Sequence, residues 1–242
     1  NEPTMLNFGP LSTALYRKHL KKKYGSMKRL NEVWGTSLSS FEDIQPSMKL
    51  FAQPSPELTD FWWFNLGRLT HYFEFMQECV RKNDKTVPTT FKLNNLQMGW
   101  YCPTPNVDQE GVSDISDVIG MDSGTYPFAK PYYDWLRCLS PEKPVVNLEF
   151  KGGGVRTKLD LWKGALHGLS AIDWWCWMPN PMFASAMSDT GALHEGPLAA
   201  YNIQRLLPQI MAFQTLPRSP FVVLYPDPVL PRAKEYFNVH TP

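Results

Sequence analysis

Short apolar runs alternate with longer amphipathic stretches along most of this chain. After a loop at Gly9-Pro10, the spacing predicts a helix over 12–24, with Leu11, Leu15, Leu20 and Tyr24 on its apolar side. Lys18 and Lys21, Lys22 and Lys23 lie on its solvated side, and Gly25 stops it. A second short helix over 27–33 ends at Trp34-Gly35-Thr36, and a loop rich in Ser and Pro runs to Pro56. Residues 58–83 are helical again, with Phe61, Phe64, Leu69, Tyr72, Phe73, Met76 and Val80 facing a core. His71 falls inside that stripe and reads as a satisfied core histidine. Strands are expected over 87–93, over 118–121 ending at Asp122, and over 171–177, with helices over 132–139, 159–169 and 198–213.

The most informative run is Val145, Val146, Leu148 and Phe150, bounded by Pro144 and the glycines 152–154. Its unbroken apolar, β-rich character predicts a strand buried on both faces. Regular alternation of strands and helices then implies a parallel sheet with crossover helices. Residues 216–220 mark a boundary, Phe221 to Tyr225 read as one more strand, and the remainder reads as the beginning of a following domain.

Composition narrows the function. The net charge of +1 gives no electrostatic ground for a nucleic acid or an anionic membrane as partner. Nine tryptophans lie in a chain that is 14% aromatic, several of them in polar or glycine-rich surroundings. Flat apolar rings beside polar groups suit sugars, whose rings offer apolar C–H faces and hydroxyl edges. The four cysteines, Cys79, Cys102, Cys138 and Cys176, are scattered and form no metal-binding pattern. No apolar run reaches the length of a membrane span, and no signal peptide is recognisable. The chain opens on Asn, which leaves cytoplasmic or secreted localisation open.

Two carboxylates stand out. Glu149 closes the buried strand, where an ionised side chain is costly unless paired or opening on a cleft. Glu2, in Asn1-Glu2-Pro3, is the second. Asn94, Asp122 and Tyr126, and the cluster Trp174, Trp175 and Trp177, fall at other expected strand ends. In a parallel β/α barrel these ends share one mouth, where catalysis sits.

Asn-Glu-Pro, a Glu closing a later strand and a Trp ending the next resemble the clan A glycoside hydrolases, whose fold is a (β/α)8 barrel. Within that clan the chain is similar to the family 42 β-galactosidases. The supporting stretches are Lys23-Tyr24-Gly25, Leu30-Asn31-Glu32-Val33-Trp34-Gly35-Thr36, the turn from Asp122 to Pro127, and Trp162, Gly164 and Leu166-His167-Gly168. Two segments depart from the family pattern: Gly191-Ala192-Leu193-His194, where the family has a Glu, and Trp175-Cys176-Trp177-Met178. Both touch the subsite that selects the sugar.

The resemblance implies an α/β fold in which residues 1–216 form the C-terminal half of a TIM barrel, from about the end of strand 4 to helix 8. Residues 217–242 would be a linker and the start of a second domain, and the natural protein is expected to extend in both directions. It implies a retaining glycosidase acting on β-linked galactosides or related glycans, with Glu149 as nucleophile and Glu2 as acid/base. Asn1 would bind the sugar 2-hydroxyl, Tyr126 would orient Glu149, and Trp177 would floor the sugar ring, with Trp175 as a further candidate contact and either Trp174 or Trp175 as the one packed away. Trp100 and Trp34 would stand at the rim, and His194 would reach a hydroxyl. No cofactor or metal is implied; the partner is a carbohydrate, and homo-oligomerisation stays open. The rival readings are an endo-acting glycanase of the same clan, cutting a β-mannan or β-glucan, and a carbohydrate-binding protein without turnover.

Overall fold

A computed structural model describes residues 6–94, 108–122, 129–150, 155–179 and 185–214 of the 242. Their contacts fall into two compact units, residues 6–75 on one side and 76–94 with 109–214 on the other.

In the first unit, helix α1 spans Pro10–Tyr24. Pro10 opens it because the first helical position needs no N–H donor. Gly25 closes it at φ 72°, a backbone angle that other residues adopt only with strain. The buried positions are Ser12, Thr13, Tyr16 and Leu20. Leu11 and Leu15 are exposed, against the sequence expectation; the buried stripe follows Tyr16 and Leu20, one position round the helix. Helix α2, Met27–Trp34, starts at Ser26, whose side chain accepts the Arg29 N–H, and stops at left-handed Gly35.

Helix α3 runs over Pro56–Asn83. Phe61 and Phe64 join Tyr16, Leu20, Leu30, Trp34 and Ile44 in the core of this unit. His71 is not a core histidine: its side chain is exposed and pairs with Glu74 at 3.3 Å. Tyr72 and Val80 are exposed as well, because a helix this long carries more apolar positions than one buried face can take.

From Met76 onward α3 belongs to the second unit. The Gln77 amide donates to Thr89 Oγ1 at 3.0 Å, and Arg81 donates to the Val87 carbonyl and pairs with Asp117. Asp117 accepts the Thr89 N–H at 2.6 Å and its hydroxyl at 2.8 Å. These bonds, with the Arg81 charge, hold the Asp117 carboxyl below its usual range. The Thr89 carbonyl takes the N–H groups of Asp117 and Val118. The Val87 carbonyl and both backbone groups of Thr89 are therefore committed to this loop, and the expected strand shrinks to β1, Leu93–Asn94.

The sheet continues through β2, Ile119–Asp122, β3, Val145–Phe150, and β4, Leu169–Trp174, in the order β1-β2-β3-β4. All neighbours are parallel, as the alternation of elements requires. Helix α4, Gln109–Ile115, precedes β2; it is short and carries a glycine, and its periodicity gave no signal. Helices α5, Ala129–Leu139, and α6, Val155–Leu166, make the crossovers on either side of β3.

The last helical stretch is two helices, α7, Glu195–Arg205, and α8, Leu207–Gln214. Pro208 is tolerated only in a first turn, so the helix restarts there. Phe150 packs with Leu161, Ala165, Ala199, Ile203 and Ile210 in the core of this unit. Gly196 keeps α7 close: a Cβ there would lie 2.7 Å from Thr157 Cγ2.

Candidate active site

Glu149 lies at the C-terminal end of β3, an inner strand of the sheet, and is 7% exposed. The pairing of β3 with β4 is irregular between Asn147 and Phe150. Strict alternation lapses there, and Glu149 and Phe150 are both buried. The sheet resumes at Phe150, in register with Trp174, whose ring meets the Phe150 ring edge-on at 5.3 Å.

A buried carboxylate needs partners. The Glu149 backbone N–H donates to Asn147 Oδ1 at 3.0 Å, and Asn147 Nδ2 donates to the Tyr133 hydroxyl of α5 at 3.1 Å. Asn147 is fully buried, so one amide ties the strand end to the crossover helix. The carboxylate itself takes an ion pair from Lys92, the residue just before β1. The Lys92 ammonium also lies 6.0 Å from the centre of the Trp175 ring. Asp122, 5% exposed, closes β2, and by register it stands beside Asn94.

Beyond β4 the backbone folds back on itself. The Trp175 N–H bonds the Phe150 carbonyl at 3.0 Å, and the Trp175-Cys176 peptide is cis. Ala186 and Met187 donate to the carbonyls of Cys176 and Trp177, and the His194 N–H bonds the Ala186 carbonyl at 3.0 Å. The Leu193 segment bridges Met187 across a turn at Gly191, φ 82°. The backbones of Trp177 and His194 thus belong to one hydrogen-bonded loop assembly. Trp175 and Trp177 are 43% and 50% exposed, open enough to meet a ligand, and His194 precedes the first turn of α7.

The structure therefore brings Glu149 and Trp175 together through Lys92, and Trp177 and His194 through backbone pairing. Asn1, Glu2, Trp100 and Tyr126 lie outside the described residues, as do the boundary at 216–220 and the strand expected from Phe221. Trp34 is buried in the first unit, so it is not the rim aromatic the sequence suggested. Lys92, Asn147 and Tyr133 escaped the sequence reading. A lysine late in an apolar segment and an asparagine inside a buried strand were the available signals, since each needs a specific partner.

The first unit holds a different carboxylate. Asp60, 3% exposed, pairs with Lys23 and accepts the Tyr24 hydroxyl at 2.6 Å and Trp34 Nε1 at 2.8 Å. Burial, with the bond to Asp60, pushes the Tyr24 phenol up to about 12. Burial and the nearby carboxylates of Asp60 and Glu57 raise Tyr16 as well. Burial, then the charge of Lys23, lowers His19. Lys23-Tyr24-Gly25 and Trp34-Gly35 thus supply the donors and helix stops around one buried acid.

Among the described residues, no group of His, Cys, Asp and Glu is arranged to hold a metal. Nor is any described helix long and apolar enough to cross a membrane.

The parallel sheet with crossover helices is shared with known enzymes. An exo-carrageenase of family GH42 from Bacteroides ovatus superposes with a TM-score of 0.68 at 22% identity, over 89% of this chain and 36% of that one. A beta-galactosidase from Bacillus circulans sp. alkalophilus also gives 0.68, at 18% identity, over 87% of this chain and 36% of that one. These likenesses establish an α/β fold of the kind found in TIM-barrel glycosidases. In sequence, a beta-galactosidase of Arthrobacter sp is 26% identical over 175 residues, 69% of this chain and 23% of that protein. The chain thus spans about a quarter of that relative's length. The family model for beta-galactosidases of glycoside hydrolase family 42 matches residues 1–134, more than half of the chain. The chain belongs to that family.

Proposed function

We propose that this chain is part of a retaining glycoside hydrolase that cleaves β-linked galactosides or related glycans through two glutamates. Glu149 attacks the anomeric carbon as the glycosidic bond breaks, while Glu2 gives its proton to the leaving oxygen. Glu2 then takes a proton from the water that hydrolyses the Glu149 ester, and each group returns to its starting state. Retention requires the two carboxyls to stand roughly 5 to 5.5 Å apart. Asn1 binds the 2-hydroxyl, Tyr126 orients Glu149, Trp177 and Trp175 offer apolar faces to sugar rings, Trp100 stands at the rim and His194 bonds a hydroxyl.

The observation that carries this reading is Glu149 itself: a buried, ion-paired carboxylate at the C-terminal end of an inner parallel strand, beside an exposed tryptophan. Parallel α/β sheets bind their ligands at that end.

The reading places residues 1–216 in the second half of a (β/α)8 barrel, with 217–242 opening a further domain. Exposure of Ser170, Ala171 and Asp173 on β4 supports it. Parallel strands are ordinarily covered on both faces, and closure into a barrel covers them.

The test is Glu149→Gln in the full-length protein, assayed on nitrophenyl galactoside, fucoside, mannoside and glucoside and on a carrageenan-derived oligosaccharide. Hydrolysis should fall by about 10⁴-fold or more while sugar binding survives. Unchanged hydrolysis refutes the assignment, and the preferred glycoside names the sugar.

A further inference from the structure

We propose that Lys92 is a positioning residue for the reaction, holding Glu149 ionised and aimed at the sugar. The proposal rests on Glu149 being the nucleophile, and it adds a group that the two-glutamate scheme does not contain. Lys92 immediately precedes β1, and Glu149 is the penultimate residue of β3, with β2 between them in the sheet. The two side chains meet across two strand spacings, about 10 Å. A lysine that only needed solvation would extend away from the sheet instead. This one is 17% exposed at the side chain and its carboxylate partner 9%. Its ammonium also stands over the Trp175 ring, a second attraction that fixes where the charge lies.

The other end of Glu149 is fixed independently, because its backbone N–H is held by Asn147. With the strand end anchored and the carboxylate drawn by Lys92, the side chain is held from both directions. A nucleophile gains most from such restraint, since misplacement costs rate steeply.

Charge makes the second contribution. Three charged groups stand at this part of the sheet among the described residues: Lys92, Asp122 ending β2, and Asp173 on β4, which is exposed. The Lys92 ammonium, paired with the Glu149 carboxylate, favours its ionised form. Only the ionised form attacks. Removing Lys92 therefore makes Glu149 harder to ionise, and the acid limb of kcat/KM must move to higher pH.

The experiment measures kcat/KM against pH in the full-length protein and its variants Lys92→Met and Lys92→Arg, on a nitrophenyl β-galactoside. Lys92→Met should shift the acid limb upward by about one pH unit or more and lower kcat more than it changes KM. Lys92→Arg, which keeps the charge, should restore the limb. Lys92→Gln carries the same expectation as Lys92→Met if the latter does not fold. An acid limb that stays in place in the uncharged variants overturns the proposal. Glu149→Gly with added azide separates this from the parent assignment. If Glu149 is the nucleophile, azide attacks the anomeric carbon, expels nitrophenolate and yields a galactosyl azide of inverted configuration. Without that rescue the nucleophile assignment fails; with rescue and an unmoved limb, only the role of Lys92 fails.

Discussion

Asn147 Oδ1 accepts the backbone N–H of Glu149 at 3.0 Å, two residues along the same strand. In a regular strand that N–H would face a neighbouring strand. Here the pairing of β3 with β4 slips between these residues, and a side chain takes over. The same amide reaches Tyr133, so the carboxylate's backbone is referenced to α5 as well as to the sheet.

Asn147→Ala should therefore destabilise the protein by about 1–3 kcal/mol, because it leaves buried polar groups to find other partners. Chemical denaturation measures the loss. In the full-length protein, kcat on the preferred glycoside should fall while KM changes little. A variant as stable and as active as the parent would show that the strand end is held by other means.

Much of the architecture was legible in the sequence because the apolar runs around Val145 and Ile119 are short, β-rich and alternate with helical stretches, which reads as buried parallel strands. Helix stops at Gly25 and Gly35 were equally plain, since glycine is the residue that takes a positive φ there without strain. The strand at 87–93 was misjudged because propensity cannot reveal that Thr89 spends its backbone bonds on Asp117. His71 was misjudged because an apolar stripe in a 28-residue helix need not be buried along its whole length. Of the candidate site, Glu149 was visible as a charge in the wrong place. Lys92 was not, because its meeting with Glu149 depends on two strands separated by a third.

The Asp60 cluster supports a second prediction. Asp60→Asn removes the charge shared by Lys23, Tyr24 and Trp34 and should cost about 1.5–3 kcal/mol, a range set by hydrogen bonds to a charged group. Trp34→Phe should cost less, because only one donor is lost. The tyrosine titration gives an independent check. Tyr24 is raised from 10.0 to about 12. The stability it contributes is therefore fully present below pH 10 and lost as pH rises through about 12. Phenolate absorbance should show Tyr16 and Tyr24 lagging the other tyrosines, and Asp60→Asn should advance Tyr24. Uniform titration of all ten tyrosines near pH 10 would contradict this.

Gly120 sets the spacing of the sheet beside the candidate site. A Cβ there would lie 2.3 Å from Thr90 Oγ1, 2.5 Å from Leu148 Cδ1 and 3.0 Å from the Phe91 carbonyl oxygen. The last is backbone and cannot swing aside. Gly120→Ala should destabilise by about 1–3 kcal/mol through overpacking, and, by displacing the segment that carries Lys92, it should lower turnover as well. A thermal melt with kinetics on the same sample checks both, and an unperturbed variant would mean that the close approach of β2 to residues 90–91 is wrong.

If Glu149 is the nucleophile, it forms a covalent bond to the sugar during each turnover. The direct measurement is mass spectrometry of the full-length protein after reaction with a fluorinated galactoside that is attacked quickly and hydrolysed slowly. The protein should gain the mass of one fluorinated sugar, and the labelled peptide should carry it on Glu149. A label on another residue, or an active enzyme that turns the reagent over without ever becoming labelled, would rule out Glu149 as the nucleophile.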